Sequence, residues 1–224
     1  MALSRREMLA GAFGAAALWS VPGWAQEVPL QTQPTVPVPP VTQVPPVPPV
    51  AQPPTVPAPG FVVDWQSGPQ SPDTAASLAA QIALVKGLAI KPEAMAFFAA
   101  QPIVVDLATG TGTRASNTGV IFGRRPVPAD NPVLLHELLH RYHFEKLAHG
   151  YDNPEIIAFY NAAKAAGAYP ANEYMFKDCG EFFAMCGSVT LYGKAARQPL
   201  KRASVEKNLP EIYAWVVNEF GLVI

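Results

Sequence analysis

Apolar residues along this chain follow two different spacings. From 71 to 100 and again from 131 to 220 they recur at three- and four-residue intervals, the spacing of helices with one buried face. Over 103–107 and 118–122 they form short runs rich in β-branched residues, which read as strands. Ser71-Pro72-Asp73 opens an alanine-rich helix to about Gly87, and Pro92 opens another through Ala100. Ile103 to Leu107 is then a strand, Thr109-Gly110-Thr111-Gly112-Thr113 a hairpin turn, and Thr118 to Phe122 the next strand. The turn lacks the lysine and following helix of a phosphate loop.

Asn131 suits an N-cap and Pro132 the first helical position, so a helix is expected from there to about Leu147. Leu134, Leu135, Leu138, Leu139 and Tyr142 give it a broad apolar surface. Further helices are expected from Asn153-Pro154-Glu155 to near Gly167 and from about Asp178 to Tyr192. Leu209, Ile212, Trp215, Val216 and Phe220 have helical spacing and pack on the core. Residues 61–224 therefore read as one mainly helical α+β domain, with a small sheet beside the 131–147 helix.

The first sixty residues differ in kind. Ser4-Arg5-Arg6-Glu7-Met8-Leu9 and the Gly- and Ala-rich stretch through Val21 read as a twin-arginine export signal, with Gly23-Trp24-Ala25 as its cleavage site. The apolar run is too short for a membrane span of about twenty residues, so no stable span is expected once a signal of residues 1–25 is removed. Residues 26–60 form a proline- and valine-rich linker. No charge occurs from 28 to 59, and such a segment stays outside any packed core as a disordered, semi-rigid polyproline II spacer. A bacterial periplasmic or secreted location follows.

Charge excludes one class of partner. The formal net charge is −1, and loss of the signal leaves a mildly acidic chain with no basic face for nucleic acid. Arg124-Arg125 and Lys201-Arg202 read as solvated surface charges, and a monomer is expected. If Cys179 and Cys186 share one helix they lie about 10 Å apart, too far for a disulfide, and a bond requires Cys179 to precede the helix.

Chemistry concentrates at His136-Glu137-Leu138-Leu139-His140. A helix turns in about 3.6 residues, so His136 and His140 share a face and can offer imidazole nitrogens to one zinc ion, with Glu137 beside it to take a proton from activated water. Zinc in such sites has three protein ligands. The metzincin extension fails, since His143 and Lys146 stand where its glycine and third histidine belong. His143 and His149 are read as partly exposed side chains rather than spare ligands. Glu181 is the stronger third candidate: it lies in the apolar run Phe182-Phe183-Ala184-Met185, where an unpaired carboxylate is costly and a metal ion would offset that cost. A surface glutamate at a helix start is the plainer alternative. Cys179 competes weakly.

With Tyr174 seven residues before Glu181-Phe182-Phe183-Ala184, the second half of the chain resembles the gluzincin metallopeptidases typified by anthrax lethal factor and the secreted Pro-Pro endopeptidases. The resemblance implies a zincin-like catalytic domain, zinc ligands His136, His140 and Glu181, Glu137 as general base, and Tyr174 as hydroxyl donor to the tetrahedral oxyanion. It assigns substrate alignment to the edge strand at Gly119 to Phe122. Tyr151 and Tyr169 are rivals for the role of Tyr174, and Leu139 stands where that family often has glycine. The expected activity is zinc-dependent hydrolysis of a peptide or protein substrate, at proline-rich sites such as Val44-Pro45-Pro46-Val47-Pro48-Pro49-Val50. A zinc amidase acting on peptidoglycan stem peptides and a noncatalytic envelope-associated binding module are the alternatives.

Overall fold

A computed structural model describes residues 60–66, 71–106, 112–197 and 200–223. The expected export signal and nearly all of the expected proline-rich linker lie outside the described residues. These form a mainly helical fold with one small mixed sheet. In chain order the elements are β1 (Val63–Trp65), α1 (Pro72–Lys86), α2 (Pro92–Ala100), β2 (Ile103–Asp106), β3 (Arg114–Ser116), β4 (Gly119–Gly123) and α3 (Val133–Lys146). After these come α4 (Pro154–Ala165), α5 (Cys179–Tyr192), α6 (Arg202–Asn208) and α7 (Pro210–Phe220). No helix among the described residues is long and apolar enough to cross a membrane.

The sheet order is β1-β2-β4-β3, with β1, β2 and β4 parallel and β3 antiparallel to β4. This corrects two expectations. Ile103 pairs with Val120 in parallel register, so the strands at 103–107 and 118–122 are not the two arms of one hairpin; Thr109, Gly110 and Thr111 of the expected turn lie outside the described residues. The hairpin is Asn117-Thr118, between Ser116 and Gly119. Glycine is required at Gly119: its φ is +153°, and a Cβ there would lie 2.3 Å from the Pro102 carbonyl oxygen. Nor is β4 an edge strand. Both its sides are paired, and the edge strands are β1 and β3.

Alternation explains how the sheet meets the helices. Ile103 and Val105 of β2 and Val120 and Phe122 of β4 are fully or almost fully buried, forming the apolar face on the core. Every residue of α5 from Gly180 to Leu191 is buried, so this helix runs through the middle of the fold. It packs along α3, where Leu134, Leu135, Leu138 and Leu139 have no exposed surface. Between the two helices, a Cβ on Gly187 of α5 would meet Leu139 Cδ1 at 2.9 Å. The bulk of Leu139 is thus matched by a glycine on the facing helix.

Capping departs from expectation in an instructive way. Asn153 caps α4 by accepting from the backbone N–H of Glu155 and Ile156, and Asp178 caps α5 by accepting from that of Glu181 at 2.8 Å. Asn131 does not cap α3, which starts at Val133 with Pro132 preceding it. The buried Gln81 of α1 does that work instead: its Oε1 accepts from Leu134 N at 3.1 Å, and its Nε2 donates to the Asn131 carbonyl at 2.8 Å. A tertiary contact has replaced the local cap.

Candidate metal centre

Helix α3 presents His136 and His140 one turn apart, and the capped first turn of α5 presents Glu181 toward them. His136 Nε2 lies 3.1 Å from Glu181 Oε2 and 3.2 Å from His140 Nε2, while His140 Nε2 and Glu181 Oε2 are 3.5 Å apart. These three residues are a group whose donor atoms can hold a metal ion. Tetrahedral zinc with ligand bonds of about 2.05 Å needs donor separations of about 3.3 Å. The spacing and the N, N, O chemistry of the three donors fit zinc.

His136 and Glu181 are buried, and His140 is partly exposed. Burial by itself would raise the pKa of Glu181, but hydrogen bonds with His136, His140 and Tyr174 outweigh it and hold the carboxyl well below the usual carboxylate range. The carboxylate is therefore kept ionised, as a ligand must be.

Glu137 is also buried, and its Oε2 accepts the Ala115 N–H at 2.8 Å. Ala115 is on edge strand β3, opposite Val120, so a backbone group of the sheet edge fixes the acid beside the donor cluster. Tyr174 lies in a short 3-10 turn, Tyr174–Phe176, and donates to Glu181 Oε1 at 2.7 Å. Burial, then the hydrogen bond to and charge of Glu181, push its pKa up to about 12. Its hydroxyl keeps its proton at neutral pH. Of the two rival tyrosines, Tyr151 stays beside the cluster with its hydroxyl donating to the His140 carbonyl at 3.4 Å, and Tyr169 bonds the Ser204 hydroxyl at 2.9 Å.

Comparison with known protein families finds no match, and comparison with curated proteins finds none. Among solved structures, the chain resembles a Pro-Pro endopeptidase. That protein, from Paenibacillus alvei, is 17% identical, with 71% of this chain and 97% of that one covered at a TM-score of 0.46.

Other expectations resolve around this centre. Cys179 and Cys186 are free thiols on α5, and Cys179 is not in the donor cluster. His149 is exposed. His143 is not partly exposed as expected but has no accessible surface, neither ring nitrogen has a hydrogen-bond partner, and it packs on Phe183 and Tyr151. It sits one turn beyond His140 on the face that α5 covers, which accounts for the burial. Arg202 is likewise drawn in, donating to the Leu191 carbonyl.

Sequence reasoning missed Arg141. Its side chain is 3% exposed, and its guanidinium donates to Gln101 Oε1 at 3.0 Å, to the Ser116 carbonyl at 2.6 Å and to Glu145. It ties the end of β3 to the helix that carries Glu137. The available signal was an arginine four residues after Glu137, between Leu138-Leu139 and Tyr142, on a helix with a broad apolar surface.

Proposed function

We propose that this protein is a zinc-dependent endopeptidase of the gluzincin type with a zincin-like catalytic domain, exported from the bacterial cytoplasm and acting on proline-rich peptide segments. The observation that carries the reading is the convergence of His136, His140 and Glu181 at tetrahedral spacing, with Glu137 held beside them by Ala115. Zinc bound there would make water acidic and polarise the scissile carbonyl. Glu137 is the general base: it takes the proton of the attacking water and delivers it to the departing amine nitrogen. Tyr174 turns its hydroxyl from Glu181 to the carbonyl oxygen as negative charge develops, strengthening in the transition state a hydrogen bond that is weaker in the ground state. β3 has a neighbouring strand on one side only, and an extended peptide aligned by backbone pairing on its other side would share the Ala115 N–H that Glu137 now accepts.

Export is supported by Ser4-Arg5-Arg6 and the apolar run after it, and a proline-rich substrate by the chain's own Val-Pro-Pro-Val segments. The deciding experiment measures bound zinc and cleavage of Val-Pro-Pro-Val peptides by wild type, Glu137→Ala and Glu181→Ala. About one zinc per chain is expected in the first two and cleavage in wild type alone, because a base that is not a ligand leaves the metal in place. Undiminished cleavage by Glu137→Ala would refute the mechanism. Unchanged zinc affinity in Glu181→Ala would move the third ligand elsewhere.

A further inference from the structure

Two cavities flank the donor cluster. The one on the His140 side, about 410 Å3, is lined by His140, Tyr151, Asp178, Cys179 and Glu181, and Lys177 pairs with both of its acids. The one on the Glu137 side, about 350 Å3, is lined by His136, Glu137, Val127 and Val133, with Arg125 and Arg197 also in its wall. Among the described residues Glu137 is the sole acid lining this second cavity, and its Oε2 is already bonded to Ala115. Arg125 and Arg197 are exposed, and neither makes an ion pair among the described residues. The Arg197 guanidinium lies 4.6 Å from the centre of the Tyr174 ring, and this cation–π contact anchors the charge beside the reacting centre. Guanidinium groups stay charged at every working pH and match a carboxylate with two parallel hydrogen bonds. Val127 and Val133 supply an apolar wall for the stem of a side chain that carries one.

We propose that the Glu137-side cavity is a carboxylate-binding subsite. It seats an acidic side chain, or a free C-terminal carboxylate, of the peptide next to the scissile bond, and Arg125 and Arg197 are its specificity-determining residues. This rests on the zinc-peptidase reading, and a chain terminus in the subsite would make the cut a carboxypeptidase's. It adds a substrate preference that a purely apolar pocket would not impose.

The test scans glutamate against glutamine through the positions flanking the scissile bond of a cleaved peptide, using the zinc-loaded full-length protein. Glutamate at one flanking position should raise kcat/KM about tenfold, as expected for a charge-assisted hydrogen bond in a partly solvated site. In the Arg125→Gln/Arg197→Gln double variant that ratio should fall to about one, with zinc content retained. Peptides ending at that position as acid or as amide separate the two sources of carboxylate: a gain for the acid form alone assigns the subsite to a chain terminus. Equal turnover of glutamate, glutamine, acid and amide peptides would overturn the proposal, as would a preference that survives the double variant. If wild type cleaves no peptide, the endopeptidase reading fails separately. The subsite is then read by binding to Glu137→Ala, where the glutamate or free-acid peptide should bind about tenfold tighter than its neutral partner and equal affinities would refute it.

Discussion

The metal centre stands between two walls of opposite construction. One is the α3–α5 helix interface, apolar and closely packed, where Leu139 meets Gly187 and His143 lies against Phe183. The other is the edge of the sheet, joined to α3 by polar contacts: Ala115 to Glu137, Ser116 to Arg141, and Gln101 to both Arg141 and Glu145. The helix wall sets the distance between the histidines and Glu181 by packing, which has little orientational preference and is intolerant of volume change. The sheet wall sets the orientation of the base by hydrogen bonds, which are directional and weaken when a partner moves. Ligand spacing and base alignment are therefore open to separate disruption.

The largest expected effect comes from the polar group stranded in the apolar wall. Burial, reinforced by the charge of His140 and opposed by that of Asp178, lowers the His143 pKa from 6.5 to about 4. The fold thus favours the neutral ring. Its contribution is intact above pH 6.5, where folded and unfolded chains both hold it neutral, and is lost as pH falls through about 4, because the unfolded chain takes up the proton first. Acid destabilisation from this residue should reach roughly 3 kcal/mol. His143→Leu should remove that part of the pH dependence, and thermal unfolding of metal-free protein between pH 7 and 4 checks it. An unchanged slope would show that the ring is solvated or paired in solution.

Arg141→Met attacks the other wall. Losing the bonds to Ser116, Gln101 and Glu145 should cost about 2 kcal/mol, with Glu145 relieved by its partial exposure. Released from its tether, β3 should align Glu137 less well. The expected signature is a kcat/KM decrease of about tenfold with zinc affinity unchanged. Parallel loss of zinc would mean that the walls are coupled.

The same division governed what could be read from sequence. The helix wall was legible because its information is local: the four-residue step from His136 to His140 places both on one face, and the apolar surroundings of Glu181 mark an acid in need of a cation. Helices α4 and α5 began where Asn153 and Asp178 capped them, for the same reason. Of the sheet, β2 and β4 were legible as the β-branched runs at 103–107 and 118–122, but the edge that forms the second wall was not. β1 and β3 are three residues each, too short to display alternation, and a parallel partner such as β2 for β4 leaves no turn signal between them. The Gln81 cap on α3 spans 53 residues and the Arg141–Gln101 bond 40, separations at which residue type alone does not identify a partner.

Gly187→Ala gives the smallest and most selective test. The added methyl would sit 2.9 Å from Leu139 Cδ1 and 3.2 Å from Cδ2, so Leu139 must turn or α5 must move. Leu139 is fully buried with little room to turn, while alanine favours helix over glycine by up to about 1 kcal/mol. The overpacking of about 1–3 kcal/mol should prevail, leaving a net loss near 1 kcal/mol in chemical denaturation. Leu139 lies between His140 and Glu137 on α3, so displacement of α5 would widen the separation between the histidines and Glu181 without touching β3. Zinc affinity should therefore fall while the kcat of fully loaded enzyme holds, the reverse of the Arg141→Met pattern. A double variant with Leu139→Ala, which vacates the space the new methyl needs, should restore zinc affinity. Failure to restore it would mean that packing at this contact does not set the ligand spacing.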